Sequence, residues 1–150
     1  MSLRGAIKAV LEADATLLAT LTGGVYDKSE LGRRGISPTS TPGAYGDQGT
    51  LKPLCVVKAR GSTVDGALAD DAHQYASFRQ VVELWFYQES GDTALETAMA
   101  RAAALLHGKQ VTDSFVVRWI GNPVLDREAP ELEGVSVTRS DYEVISALSA

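Results

Sequence analysis

Phe78-Arg-Gln-Val-Val-Glu-Leu-Trp-Phe-Tyr-Gln-Glu-Ser90 leads through Gly91-Asp92-Thr93 into an alanine-rich run that ends at Gly108. Val, Leu and aromatic residues fill the first part, and this composition favours a half-buried β-strand. The second part has apolar residues at helical spacing. The stretch therefore predicts a central strand joined directly to a helix, with the rest of the chain arranged around this unit.

The two faces of the predicted central strand differ in character. Alternation gives one face a continuous apolar row: Val82, Leu84 and Phe86. On the other face a charge interrupts the apolar side chains: Val81, Glu83, Trp85 and Tyr87. A mixed face of this kind is typical of a partner surface or a second layer. We therefore expect the first face to lie in the core and the second to make contacts outside it.

The helix after the central strand has a recognisable start, stripe and end. Thr93 and Glu96 have the spacing of a capping box, and Gly108 supplies a left-handed stop. Apolar residues recur on one side: Leu95, Ala98, Met99, Ala102, Leu105 and Leu106. Because the alanines are small, we expect this side of the helix to lie close against a sheet.

Composition and charge indicate one ordinary globular domain over 1–150. The 150 residues are 45% hydrophobic and 22% charged, which suffices for a core without disulfides or metals. The net charge of −5 argues against a nucleic-acid-binding face, because phosphate contacts need clustered Lys and Arg. No apolar run could span a membrane, and the first residues lack a secretory signal. We therefore expect a protein kept in the cytoplasm.

The remaining elements predict an α+β fold. Ser2 and Asp14 are candidate N-caps of two helices, and Val25-Tyr26 is a brief strand. Further strands are expected at 54–60, 114–120 and 135–145. Such an order favours a mainly antiparallel sheet with the helices packed on one face. The polar alternation of the last strand predicts a bulge or an exposed sheet edge.

The segment 27–50 has no hydrophobic period. It is rich in glycine, contains two prolines and carries the basic pair Arg33-Arg34. Loops of this length are uncommon in compact domains and are usually functional or disordered. We predict a long flexible loop that projects from the domain after the first helices and becomes ordered on a neighbouring molecule. A surface loop without a role is the alternative.

The residues that could support catalysis or bind a metal are scattered. His107 falls at the end of the predicted helix, where a cation would meet the negative end of the helix dipole. His73 follows Asp70 and Asp71, without a second group of ligands to complete a metal site. Cys55 lies in a strand without a histidine partner, so we expect it to be a small buried apolar residue.

No catalytic motif accompanies these residues. The sequence has no nucleophile elbow, no phosphate-binding glycine loop and no dinucleotide fingerprint. One acidic set lacks an apolar pocket that would raise a carboxyl pKa, and it favours a solvated loop: Asp126, Glu128, Glu131 and Glu133. We therefore predict that the protein is not an enzyme and has no catalytic, cofactor-binding or metal-binding residues.

Several short motifs follow one another in a familiar order. A first helix reaches an Ala13-Asp14-Ala15 break, and a second helical turn ends in Gly-Gly before Val25-Tyr26. A strand led by Pro53, the strand and alanine-rich helix of 79–108, and a closing strand with Asp141-Tyr-Glu-Val144 complete the series. In this order the chain resembles the tail-completion, or tail terminator, proteins of tailed bacteriophages. The segments 27–50 and 122–134 are longer than in the family's minimal form, so the resemblance assigns them no role.

The resemblance implies a structural protein of the virion neck, assembled in the host cytoplasm. Such subunits form a ring, usually a hexamer, that caps the tail tube protein and joins the head-side connector or stopper protein. Genomic DNA passes through the lumen without sequence-specific binding, and no cofactor is needed. Six copies, each with a charge of −5, would make a negative ring along which DNA slides.

The subunit interface of such a ring is expected on the mixed face of the central strand and on the closing strand. The candidate contact residues are Glu83, Trp85, Tyr87, Arg139 and Asp141. Large apolar groups beside charges are typical of interfaces, and an edge strand offers unpaired backbone groups to a neighbour.

Three alternatives stay open from the sequence. A head-closure protein, the stopper or adaptor of the neck, would bind the portal side and not the tail tube. A bacterial α+β ligand-binding domain or enzyme would be a monomer with a deep apolar pocket. A regulatory interaction module would be a monomer or dimer that does not form rings.

Overall fold

Three α-helices and six strands occur in the part of the chain that the structure describes. This computed structural model describes residues 2–61, 63–69, 74–89, 91–111, 116–130 and 132–149. The helices are α1 (Leu3–Glu12), α2 (Ala15–Thr20) and α3 (Thr93–Leu106). The strands are β1 (Gly24–Asp27), β2 (Leu54–Ala59), β3 (Thr63–Ala69), β4 (Gln74–Glu89), β5 (Arg118–Glu128) and β6 (Val135–Ser149). Within the described ranges, no helix has the length and apolarity needed to cross a membrane.

The strands form one sheet in the order β1-β2-β4-β6-β5. Strand β3 pairs with the first half of β4, and β2 pairs with the second half. Strands β1 and β2 run parallel, and all other pairs are antiparallel. The predicted α+β class with a mainly antiparallel sheet is therefore confirmed.

The position of β6 differs from the prediction. This strand lies between β4 and β5, so the expectation that the closing strand is an open edge is wrong. Its polar side chains, including Thr138, Ser140 and Asp141, are buried. The polar residues that alternate along β6 are therefore charged and hydroxyl side chains that the fold buries. The edge strand on this side of the sheet is β5.

Local signals correctly located the starts of the first two helices. The Ser2 hydroxyl accepts a hydrogen bond from the Gly5 backbone N–H at 3.1 Å, and the Asp14 carboxylate accepts one from Leu17 N–H at 2.7 Å. Each acceptor satisfies an N–H group that has no partner within its helix.

Helix α3 begins differently from the prediction. Asp92 is its N-cap and makes no side-chain capping hydrogen bond, so the capping box of Thr93 and Glu96 is wrong. The Gln88 side chain, from the end of β4, accepts from Ala94 N–H at 3.2 Å instead. The predicted stop is confirmed, because Gly108 has a φ of 81°, which is the left-handed conformation that glycine tolerates.

All three helices pack on one face of the sheet. The predicted apolar row of β4 (Val82, Leu84, Phe86) is fully buried there. It meets the predicted stripe of α3, of which Leu95, Ala98, Met99, Ala102 and Leu106 are buried and Leu105 is partly buried. Removing this apolar surface from water is the main favourable contribution to folding.

The long connection between β1 and β2 covers the opposite face of the sheet. Its residues Leu31, Ala44 and Leu51 are buried in a second apolar cluster with Leu54, Val56 and Tyr87. This packing corrects the expectation of a loop that projects over its whole length. The apolar residues that pack this loop on the sheet are single and irregularly spaced. The sequence therefore contains no hydrophobic period that would have predicted the packing. Arg33 and Arg34 are nevertheless exposed.

Candidate interaction surface

The five predicted interface residues come together on the loop-covered side of the sheet. In the β4–β6 register, Glu83 lies opposite Asp141 and Trp85 lies opposite Arg139. Residues directly opposite each other in an antiparallel pair point to the same face. Alternation then places Tyr87 on that face as well, so all five residues share one face of the sheet.

Burial divides the five residues into two groups. Tyr87 is 2% exposed, and Glu83 and Asp141 are also buried. Trp85 and Arg139 are half-buried. A neighbouring subunit could therefore touch Trp85 and Arg139 directly, whereas Tyr87 belongs to the second apolar cluster. That a neighbour contacts this surface stays a prediction.

Two guanidinium groups neutralise the buried acids of this face. Arg60 lies 3.1 Å from a Glu83 oxygen and 3.0 Å from an Asp141 oxygen. Arg139 approaches the same two carboxylates at 3.5 Å and 3.0 Å. Buried carboxylates are tolerated when they are paired in this way, and loss of one partner is costly. Sequence reasoning missed Arg60. This residue lies just beyond β2, and strand pairing in the sheet brings it close to Glu83 and Asp141.

A second ion-pair group continues along the same face. Buried Glu143 accepts from Arg79 at 3.0 Å and from Arg118 at 2.8 Å. Both arginine side chains remain about half exposed or more. Sequence reasoning missed these residues too, although the odd-numbered alternation of β4 would have placed Arg79 on the face of Glu83.

Trp85 is surrounded by positive charge. The Lys58 Nζ lies 4.3 Å from the centroid of its ring, and the Arg139 guanidinium carbon lies 5.4 Å from it. Cations at these distances are attracted by the ring face. The indole N–H also donates to Glu83 at 3.4 Å. Contacts within the chain therefore already orient this side chain.

A cleft separates the long loop from the sheet. It has a volume of about 270 Å³, and we call it the basic groove. Its apolar lining residues are Leu31, Ile36, Val56, Tyr87 and Leu132, and its cationic lining residues are Lys28, Arg33, Arg34 and Lys58. Among the described residues that line it, none is acidic. The predicted loop arginines and the predicted interface residue Tyr87 therefore belong to one cleft.

The edge strand β5 and Val116, which precedes it, carry exposed apolar side chains. Among the described residues, the exposed large hydrophobic side chains are Val116, Trp119, Ile120 and Leu125, with 43–56% of each accessible. We call them the β5 strip. The pairing of β5 with β6 shifts register at several points, and no strand of the described residues pairs with the other side of β5. Exposed apolar residues on an unpaired edge are typical of a contact surface.

The residues considered for catalysis are placed in ordinary structural roles. Cys55 is fully buried, which confirms it as a small core residue, and burial raises the pKa of its thiol. His107 is the C-cap of α3, and its Nδ1 accepts a hydrogen bond from the Trp119 N–H at 3.1 Å. The predicted position of His107 at the helix end is confirmed, and its role there as a cation stays a prediction.

The candidate metal and acidic residues are only partly covered by the structure. His73, Asp70, Asp71 and Glu131 lie outside the described residues. Across the described ranges, no group of three or more His, Cys, Asp or Glu is arranged to hold a metal ion. Glu128 and Glu133 are exposed, but Glu128 lies at the end of β5, so the predicted loop is wrong at that position.

Comparison with known proteins shows what the fold resembles. No protein-family model matches the chain, and no curated protein matches it either. Among solved structures, a chain from the virion of a native gene transfer agent (GTA) particle has a similar fold, with a TM-score of 0.55 and 17% sequence identity. The similarity covers 99% of this chain and 96% of that chain. The two chains therefore share one fold over nearly their whole lengths.

Proposed function

We propose that this chain is a structural, non-enzymatic subunit of a phage-like virion. The observation that carries the proposal is the fold shared with a chain of a GTA virion, which extends over 99% of this chain. The order of sequence motifs supports the same class, because it resembles a family of phage neck proteins. The two lines of support are of different kinds, one from motif order and one from the path of the backbone.

Within that class, the chain fits a tail terminator, or tail-completion, subunit. It would form a ring, expected to be a hexamer, at the head–tail junction. The ring would cap the tail tube, join the head-side connector and let the genome pass through its lumen. The motifs that resemble the family fall on matching elements: the Asp14 break separates α1 from α2, Pro53 precedes β2, and Asp141 lies in β6.

Two surfaces of the subunit suit assembly into a ring. One is the β5 strip on its edge strand, and the other is the half-buried pair of Trp85 and Arg139. Two different patches that meet head to tail generate rings when the rotation closes. In this arrangement part of the interface lies on β5, the edge strand, whereas the sequence predicted it on β6.

The oligomeric state of the purified protein tests the proposal. Light scattering after size-exclusion chromatography should give six times the 15.9 kDa of one chain, and negative-stain images should show rings. Added tail tubes should be capped at one end. Rings that bind only the head-side connector would identify a head-closure protein, and a stable monomer without tail binding would refute the virion-ring proposal.

A further inference from the structure

The basic groove is a binding surface that the ring proposal leaves unused. Its floor is apolar, built from Leu31 and Ile36 of the long loop, Val56 and Tyr87 of the sheet, and Leu132. Cations surround this floor on the loop side and on the sheet side. The groove thus combines an apolar floor with positive charge. A ligand that fits it should have apolar side chains for the floor and negative charge for the cations.

Three cations of the long loop lack a side-chain partner among the residues that the structure describes. Within the described ranges, the side chains of Lys28, Arg33 and Arg34 are exposed and make no hydrogen bond or ion pair. The arginines of the neighbouring network differ, since Arg60 and Arg139 are matched to buried carboxylates. Positive charge therefore remains uncompensated at the mouth of the groove, although the whole chain carries −5.

A second cleft continues the groove along the sheet. It has a volume of about 200 Å³ and is lined by Lys58, Trp85, Val124, Arg127, Pro130 and Val137. Lys58 borders both clefts. An extended segment could therefore cross Lys58 and place one side chain in each cleft, because alternate residues of an extended chain point the same way.

We propose that the basic groove binds an acidic segment of another polypeptide, with apolar side chains on its floor and carboxylates against Arg33, Arg34 and Lys28. The volume of about 270 Å³ is below the usual range of small-molecule pockets, about 300–1,000 Å³, but it suits a side chain. DNA is a poorer complement, because a phosphodiester backbone offers nothing apolar for the floor. The inference does not depend on ring assembly, since one subunit contains the whole groove.

Fluorescence anisotropy with a defined peptide tests this inference on the full chain. The probe is fluorescein-labelled Gly-Glu-Leu-Glu-Leu-Glu-Gly, whose two leucines point the same way in an extended chain, and it is used at low salt so that charge pairing is little screened. We expect saturable binding, which a Glu-to-Gln peptide loses and a Leu-to-Ser peptide weakens. Arg34→Glu should weaken binding about fivefold, the scale of losing one exposed pair and adding a repulsion. The matched control Lys109→Glu changes the charge equally at an exposed site outside the groove.

Four results would overturn the inference. They are absence of saturable binding, equal weakening by Lys109→Glu, unchanged affinity of the Leu-to-Ser peptide, and stronger binding of a DNA duplex that Arg34→Glu abolishes. Peptide binding by a monomer would sustain the inference even if rings failed to form. Absence of peptide binding by an unassembled Ile120→Lys variant, in which no neighbour can cover Trp85, would refute the inference and leave the ring proposal intact.

Discussion

Asp14 and Arg101, 87 positions apart in the sequence, meet in a two-point ion pair. The Arg101 Nε donates to one carboxylate oxygen at 3.0 Å, and Nη2 donates to the other at 2.5 Å. The same carboxylate caps α2, so one side chain both starts this helix and ties it to α3. The hydrogen bond from Arg101, followed by that from Leu17 N–H, holds the pKa of Asp14 below its ordinary value.

Asp14→Asn should destabilise the protein in a pH-dependent way. Asparagine still caps a helix, so the change removes mainly the charge. A carboxyl group whose pKa is lowered by folding contributes stability above its unfolded pKa, about 3.9. That contribution disappears as the pH falls through the lowered pKa of the folded state. Urea unfolding at several pH values should therefore show a gap between the proteins that closes in acid.

The control for the acid experiment is Asp47→Asn, at an exposed aspartate. Its free energy of unfolding should follow that of the parent at every pH. A gap for Asp14→Asn that stays constant from neutral to strongly acidic pH would show that the ion pair contributes nothing.

Leu106→Ala should lower the free energy of unfolding by about 2–5 kcal/mol, the range for large-to-small changes in a core. Leu106 is fully buried between α3 and the sheet, so its removal leaves a cavity. The control is Lys109→Ala, because Lys109 is exposed outside both proposed assembly surfaces and its replacement should change stability by only about 0.5 kcal/mol. Equal melting temperatures for the two variants would contradict the assignment of Leu106 to the core.

Trp85→Ala should fold and yet fail to form rings. The indole is half-buried and lies against Lys58 and Arg139, and aromatic anchors of interfaces cost about 2 kcal/mol or more when truncated. Far-UV circular dichroism checks the fold, and light scattering checks assembly. Unfolding would place Trp85 among the residues essential to the core, and normal rings would show that the interface lies elsewhere.

Ile120→Lys should leave stability nearly unchanged and prevent assembly. Ile120 is 45% exposed on the edge strand, so the lysine charge stays hydrated in the monomer. A subunit contact at this position would bury that charge without an oppositely charged partner. Thr97→Lys adds the same charge at an exposed position on α3 and should leave assembly intact. Rings formed by Ile120→Lys would exclude the β5 strip from the interface.

The Cys55 thiol should react with iodoacetamide only when the protein opens. The side chain is fully buried and its pKa is raised by that burial, so little thiolate is present or accessible. Mass spectrometry should find slow alkylation in buffer and rapid alkylation in urea. Cys55→Ala should still assemble, and fast labelling of the folded protein would contradict the buried position.

The sequence alone determined the features that depend on local geometry and period. Alternation along β4 identified Val82, Leu84 and Phe86 as a core face, and helical spacing identified the buried stripe of α3. Ser2, Asp14 and Gly108 marked helix ends, because a cap or a left-handed turn involves only neighbouring residues. These features follow from side-chain direction within one element.

Tertiary structure decided which distant groups meet. Sequence alternation could not show that β6 lies inside the sheet, nor that Arg60 would reach Glu83 and Asp141 across three strands. The basic groove likewise exists only because a loop without periodicity folds Leu31 and Arg33 over the sheet. Pairing partners and register are set by contacts between segments far apart in the chain, and the local patterns that define each element do not encode those contacts.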